Sequence, residues 1–140
     1  PMLMYGLEPA IIELADNLME RMNDKVKIEV ELQTGEERVP EQMELHLFRI
    51  VQEACENALR HANADRITIR GTLDPHLVRL SIEDNGVSID GKLQINLKDL
   101  VHKNHFGIAG MVERARLIGA EVHFDSKSGL GTKITLMWKN

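Results

Sequence analysis

Glu53 and Asn57 stand four residues apart in a stretch, 48–62, that reads FRIVQEACENALRHA. In a helix this spacing puts both side chains on one face, one turn apart. A carboxylate can orient a water, and an amide oxygen is a hard ligand of the kind Mg²⁺ accepts while keeping several waters. The same spacing also describes a polar helix edge facing solvent. Asp84-Asn85-Gly86 comes 27 residues after Asn57, at the end of an alternating segment. Asn-Gly is a strong signal for a type I′ turn, yet an aperiodic stretch and not a partner strand follows Gly86. Asp84 can then point a carboxylate into a pocket beside the sheet and accept a hydrogen bond from an exocyclic amine such as adenine's. Gly107-Ile108-Ala109-Gly110 opens another periodic segment. A glycine-rich helix start offers backbone N–H groups and a positive dipole end to phosphate; the plainer reading is a helix start whose Gly110 permits close packing. Ser128-Gly129-Leu130-Gly131-Thr132 is a further glycine turn, readable as a simple hairpin. In this order the pieces suggest a pocket for a magnesium nucleotide.

The elements that must carry these residues follow from periodicity. Leu7, Ile11, Leu14, Leu18 and Met22 repeat at helical spacing, with Pro9 suited to a first turn. Val26–Leu32 alternates as a half-buried strand, and Thr34–Arg38 is a polar turn. A long helix runs from Glu41 to Ala62 with the stripe Leu47, Ile50, Val51, Ala54 and Ala58. Arg66–Leu73 and Leu77–Glu83 are strands joined by the turn Asp74-Pro75-His76. Residues 87–106 lack clear periodicity, apart from a possible short helix at 96–100, and a stretch this long is usually functional or mobile. Gly107–Ile118 is a third helix with Gly119 as its terminal glycine. Glu121–Asp125 and Thr132–Trp138 are the last strands. The order α-β-α-β-β-loop-α-β-β predicts an α+β fold, a two-layer sandwich with a mostly antiparallel sheet and helices on one face.

Bulk properties narrow the function classes. At 140 residues, 43% apolar and 28% charged, the chain suits one globular domain over 1–140. A net charge of −5 argues against a general nucleic-acid binder, which needs a basic surface. The one cysteine, Cys55, lies in an apolar helix face and reads as a buried small hydrophobe in a reducing compartment. The six histidines show no metal spacing, so no zinc site is expected. A Walker-type lysine motif, Gly-x-Gly-x-x-Gly and a nucleophile elbow are all missing.

Taken together, the four pieces resemble the Bergerat-fold ATP-binding domain of the GHKL superfamily. Glu53-x-x-x-Asn57 is similar to its N box, Asp84-x-Gly86 to its first glycine box, Gly107-x-x-Gly110 to its second and Gly129-x-Gly131-Thr132 to its last glycine-threonine element. The wording RIVQEACENALRHA, HFGIAGMVERA and SGLGTKITL resembles sensor histidine kinases paired with helix-turn-helix response regulators. The resemblance covers nearly the whole chain.

It implies a set of roles. Asn57 would ligate the Mg²⁺ that bridges the ATP phosphates, and Glu53 would hold or polarise a water near it. Asp84 would read the adenine amine, with Gly86 leaving room for the base. Gly107 and Gly110 would flank an ATP lid at 87–106 and, with Ile108, bring a helix start to the phosphates. Thr132 would line the adenine side through its hydroxyl. Arg60 and His61 could touch phosphate, His61 equally serving as a structural cap. The first glycine box usually continues to a second glycine two residues on; Ser88 stands there, and would stiffen the lid hinge because serine lacks glycine's range of φ. Residues 1–6 read as the remnant of an upstream linker. The resemblance implies a dimerisation domain with the phospho-accepting histidine upstream, a response regulator as partner, a monomeric fragment of a homodimeric parent, and a cytoplasmic domain whose parent could be anchored in the inner membrane. Without that hairpin the chain is expected not to autophosphorylate. Two alternatives remain at this point: a degenerate GHKL domain used for docking, and an anti-sigma-factor serine kinase.

Overall fold

The computed structural model describes residues 4–86, 107–127 and 131–140. Along the chain lie α1 (Leu7–Arg21), β1 (Lys27–Thr34), α2 (Glu41–Arg60), β2 (Arg66–Asp74), β3 (Leu77–Asp84), α3 (Ile108–Leu117), β4 (Glu121–Lys127) and β5 (Gly131–Lys139). The expected lid, 87–106, and the residues 128–130 of the last glycine element lie outside the described residues. The short helix expected at 96–100 lies outside the described residues too; every other expected helix and strand is present, with ends shifted by at most two residues.

The strands form one sheet in the order β1-β2-β3-β5-β4. Only β1 and β2 run parallel, since α2 makes the crossover between them; the other pairs are antiparallel. Register lines up Val30, Ile69, Ile82, Ile134 and Phe124 as one row across all five strands. These face the core shared with the helices, in which Leu47, Phe48, Ile50 and Val51 of α2 are almost wholly excluded from water. The alternate positions Glu29, Glu31, Arg66 and Arg70 pair across the opposite face in exposed ion pairs. The α+β sandwich with a mostly antiparallel mixed sheet is therefore as expected. Among the described residues no helix is long and apolar enough to cross a membrane.

Local chemistry fixes the ends that matter for the site. Asp74 and Leu77 pair across a two-residue turn, and Asp74 Oδ1 accepts the His76 N–H at 2.8 Å. The Ala120 N–H reaches the Ala115 carbonyl at 2.8 Å across Gly119, whose φ of +73° closes α3 as expected of a terminal glycine. α2 ends differently. Asn63 takes φ +53° in glycine's place, and the Ala64 N–H turns back to the Ala58 carbonyl at 3.0 Å. Cys55 is completely buried, and loss of hydration pushes its thiol up to about 12, which leaves an inert small hydrophobe.

One polar feature of the fold is invisible in the hydrophobic pattern. The Glu44 carboxylate on α2 is 1% exposed and takes Arg38 in a forked contact, 2.9 and 3.0 Å from Nε and 2.7 Å from Nη2. Arg38 Nη1 also donates to the Met4 carbonyl at 3.4 Å. The polar turn before α2 is thus tied to a buried charge. Removing one partner of such a pair strands the other, while replacing both by apolar groups is often neutral. Arg38→Ala is expected to lower the melting temperature by several degrees, and adding Glu44→Leu in the same chain is expected to restore most of the loss. Thermal unfolding of the two variants checks this.

Candidate functional site

The inward row next to the sheet's end changes from apolar to polar. Ile28 and Ile67 pair, and Ile67 pairs with Asp84. Beyond Asp84 the row continues through Thr132 and Ser126, which are themselves paired. Both are buried. Asp84 Oδ1 accepts the Gly86 N–H at 2.9 Å. Burial pushes the Asp84 carboxyl above its ordinary range, and the backbone N–H groups of Gly86 and Thr132 offset only part of that.

Asn85 holds this strand end in place. Its Oδ1 accepts the Asp65 and Arg66 N–H groups at 3.1 and 3.0 Å, and its Nδ2 donates to Asp65 Oδ1 at 2.6 Å. Both edges of β3 are taken, by β2 and β5, and the asparagine of the Asn-Gly pair stitches β3 to the start of β2. Across from Asp84 stand Ala54 and Ala58 of α2 and Ala62 just beyond its end. With Asn57, His61, Asp84, Thr132 and Ile134 these alanines line a crevice between α2 and the sheet. It is narrow, with about 10 Å³ of internal room.

Three glycines set how closely the walls approach. A Cβ at Gly86 would fall 2.3 Å from the Ala62 carbonyl oxygen. At Gly131, φ is +84° and a Cβ would fall 1.9 Å from the Asp84 carbonyl oxygen. At Gly107, φ is +70° and a Cβ would meet Glu53 Oε1 at 2.1 Å. Gly107 thus seats the start of α3 directly against Glu53. Gly110 is exposed, with nothing within 4 Å of its Cβ position among the described residues, so it is not a close-packing glycine there.

The structure brings Asn57, His61, Asp84, Gly86 and Thr132 together around one crevice. It separates the helical pair that share a face: Asn57 is 6% exposed and lines the crevice, whereas Glu53 lies beside Gly107 and borders a groove between α1 and α2. That groove, about 460 Å³, also holds Arg60, whose Nη2 is 3.0 Å from Glu56. Arg21 reaches the other oxygen of Glu56 at 2.5 Å. Ile108 is fully buried in the core, so only its backbone can serve a ligand. Sequence reasoning missed Asn85 and Ser126. Ser126 has one signal, an inward strand position that is polar, but it needs the β4–β5 register to become legible.

For a metal, the donor set is sparse. Among the described residues no three His, Cys, Asp or Glu side chains cluster for one. Asn57 brings one amide oxygen to the crevice, a hard donor that fits Mg²⁺ held largely by phosphates and waters.

Residues 42–140 match the family described as histidine kinase-, DNA gyrase B-, and HSP90-like ATPase. Among curated relatives, the signal transduction histidine-protein kinase/phosphatase DegS of Bacillus subtilis is 40% identical over 84% of the chain and 30% of its own length. The sensor protein VraS of Staphylococcus aureus is 35% identical over 92% of the chain and 33% of its own length. The chain thus spans about a third of the length of these relatives. A solved histidine kinase domain of the Erythrobacter litoralis EL346 blue-light activated kinase superposes with a TM-score of 0.72 at 20% identity, covering 96% of this chain and 61% of that one. The ATP-binding domain of PrrB from Mycobacterium tuberculosis gives 0.62 at 17%, covering 93% of each. At these identities the structures show a shared fold.

The glycine geometry sets a graded expectation. Among the described residues Gly119→Ala meets no neighbour, and it is expected to cost only the left-handed backbone term, about 1 kcal/mol. Gly131→Ala adds a collision with the Asp84 backbone and is expected to cost at least about twice that. Urea unfolding midpoints compare the two.

Proposed function

Because the chain belongs to the histidine kinase-, DNA gyrase B-, and HSP90-like ATPase family, we propose that it is the Mg-ATP-binding catalytic domain of a sensor histidine kinase. The observation that carries this reading is the meeting of a half-buried carboxylate, Asp84, and a buried amide, Asn57, across one alanine-lined crevice. A carboxyl raised by burial at the edge of a crevice is the kind of group that marks a binding site.

In this reading Asp84 accepts a hydrogen bond from the adenine amine, and Gly86 lets the end of β3 pack on the Ala62 backbone at the border of the base. Thr132 borders the base. The crevice as it stands holds about one water, so a base enters by parting its walls. Asn57 ligates Mg²⁺ through its side-chain oxygen, and Glu53 orients a water beside it. When bound, the ion neutralises charge on the β- and γ-phosphates. Gly107 and Gly110 flank the lid at 87–106, and the N–H groups at Ile108 and beyond face the phosphates. Arg60 reaches phosphate by exchanging its contact with Glu56, which Arg21 continues to neutralise; His61 supports the end of α2.

The γ-phosphoryl group then passes to an imidazole nitrogen on a dimerisation domain. The bond to the bridging oxygen breaks with its electron pair leaving on ADP, as the nitrogen lone pair forms the new bond to phosphorus. Catalysis is mainly positioning. The imidazole proton goes to a group on that other domain, so Glu53 is a water-orienting residue. A response-regulator aspartate receives the phosphoryl group next. The 140 residues act as one domain, monomeric alone and paired in a homodimeric parent, on the cytoplasmic side of the membrane.

Calorimetric titration of ATP with and without Mg²⁺ tests the reading; no binding at millimolar ATP would sink it. Asp84→Asn is expected to abolish ATP binding without loss of stability. A carboxyl raised in the fold contributes stability that is present at low pH and lost as pH rises through the raised value, so at neutral pH its ionised form costs stability. Wild-type affinity in that variant would refute the adenine role, and ATP affinity of the parent chain should weaken as pH falls through the raised value. Asn57→Asp is expected to impair Mg-dependent phosphorylation of an added hairpin domain at least about tenfold. Metal-independent nucleotide binding should change less; equal losses would count against Asn57 as the metal ligand.

A further inference from the structure

Two buried hydroxyls meet where β4 pairs with β5. Ser126 and Thr132 stand opposite one another in register and are 6% and 4% exposed. Thr132 Oγ1 is 3.2 Å from Ser126 Oγ, and Ser126 Oγ is 3.5 Å from the Gly131 carbonyl oxygen. A carbonyl only accepts, whereas a hydroxyl has one proton and two lone pairs. Ser126 therefore gives its proton to Gly131, and its oxygen takes the proton of Thr132. That chain leaves Thr132 only lone pairs to offer the crevice it lines beside Asp84. An ionised Asp84 is likewise acceptor-only.

We infer that Ser126 is a specificity-determining positioning residue. By holding the Thr132 proton, it keeps the polar edge of the crevice acceptor-only, so the site takes a purine with an amine at its six-position and rejects one with a carbonyl there. An amine brings hydrogens to the Asp84 and Thr132 oxygens. A six-oxo purine sets lone pairs against lone pairs in a partly buried site, and unmatched polar groups are what give such sites strong discrimination. The inference rests on the proposal that this crevice holds the base of ATP.

The test titrates ATP and ITP, each with Mg²⁺, into the 140-residue chain and into Ser126→Ala and Ser126→Thr. In Ser126→Ala the Thr132 hydroxyl can turn and donate, so the preference for ATP over ITP is expected to fall about fivefold or more, mainly through tighter ITP. Ser126→Thr keeps a hydroxyl and is expected to hold the original preference. If Ser126→Ala does not fold, Ser126→Cys carries the same expectation as the alanine variant, because a thiol is a poor acceptor. An unchanged preference in the folded Ala or Cys variant overturns the inference, as does an equal loss of both nucleotides, which marks a merely structural role. Failure of the unsubstituted chain to bind ATP overturns the nucleotide reading itself, and this inference with it.

Discussion

A carboxylate whose charge is disfavoured by burial stands at the inner end of β3, and much of the surrounding structure serves to keep it there. Asp84 occupies a position that in the neighbouring inward row is filled by Ile82, in a sheet otherwise built to exclude water. Two backbone N–H groups reach it, from Gly86 and Thr132, and neither is possible without a specific neighbour. Gly131 lets β5 come against the Asp84 backbone where any side chain would collide. Asn85 fastens the strand end to Asp65 and Arg66, which fixes the backbone that carries the carboxylate. The crevice is the empty side of this arrangement.

Its walls are made of the smallest residues available. Ala54 and Ala58 continue toward the end of α2 the stripe that Leu47, Ile50 and Val51 begin, and Ala62 follows just past the helix. Small side chains bury little apolar area, so these alanines add little to stability compared with the row Val30, Ile69, Ile82, Ile134 and Phe124. The domain separates its tasks along one helix and one sheet: dense packing in the middle, and a thinly packed end where a ligand can part the walls.

Much of this was legible in the amino-acid sequence, because helical and strand periods act locally. The long α2, the Asp74-Pro75-His76 turn and the Gly119 terminus all follow from near-neighbour chemistry. The grouping of Asn57, Asp84 and Thr132 is legible only through the resemblance of the ordered motifs to the Bergerat fold. What escaped depends on contacts between distant residues. Glu44 is a charge inside the apolar face of α2, and only Arg38, folded back from the preceding turn, explains it. Ser126 gains meaning only when register sets it opposite Thr132. The four-residue spacing of Glu53 and Asn57 does not tell that one side chain enters the crevice while the other lies under Gly107, because the helix turns by about 40° over that interval.

The pairing of Arg38 with Glu44 has a mechanical side. Glu44 sits in the first turns of α2 and Asn57 in its last, roughly 20 Å apart along an unbroken helix with no proline or glycine between them. Arg38 ties the near end of that rod to the Met4 carbonyl, at the opposite end of the sheet from the crevice. α2 is in effect a lever whose fulcrum is the packed stripe on the core. With no flexible joint between them, the two ends of α2 can only move together.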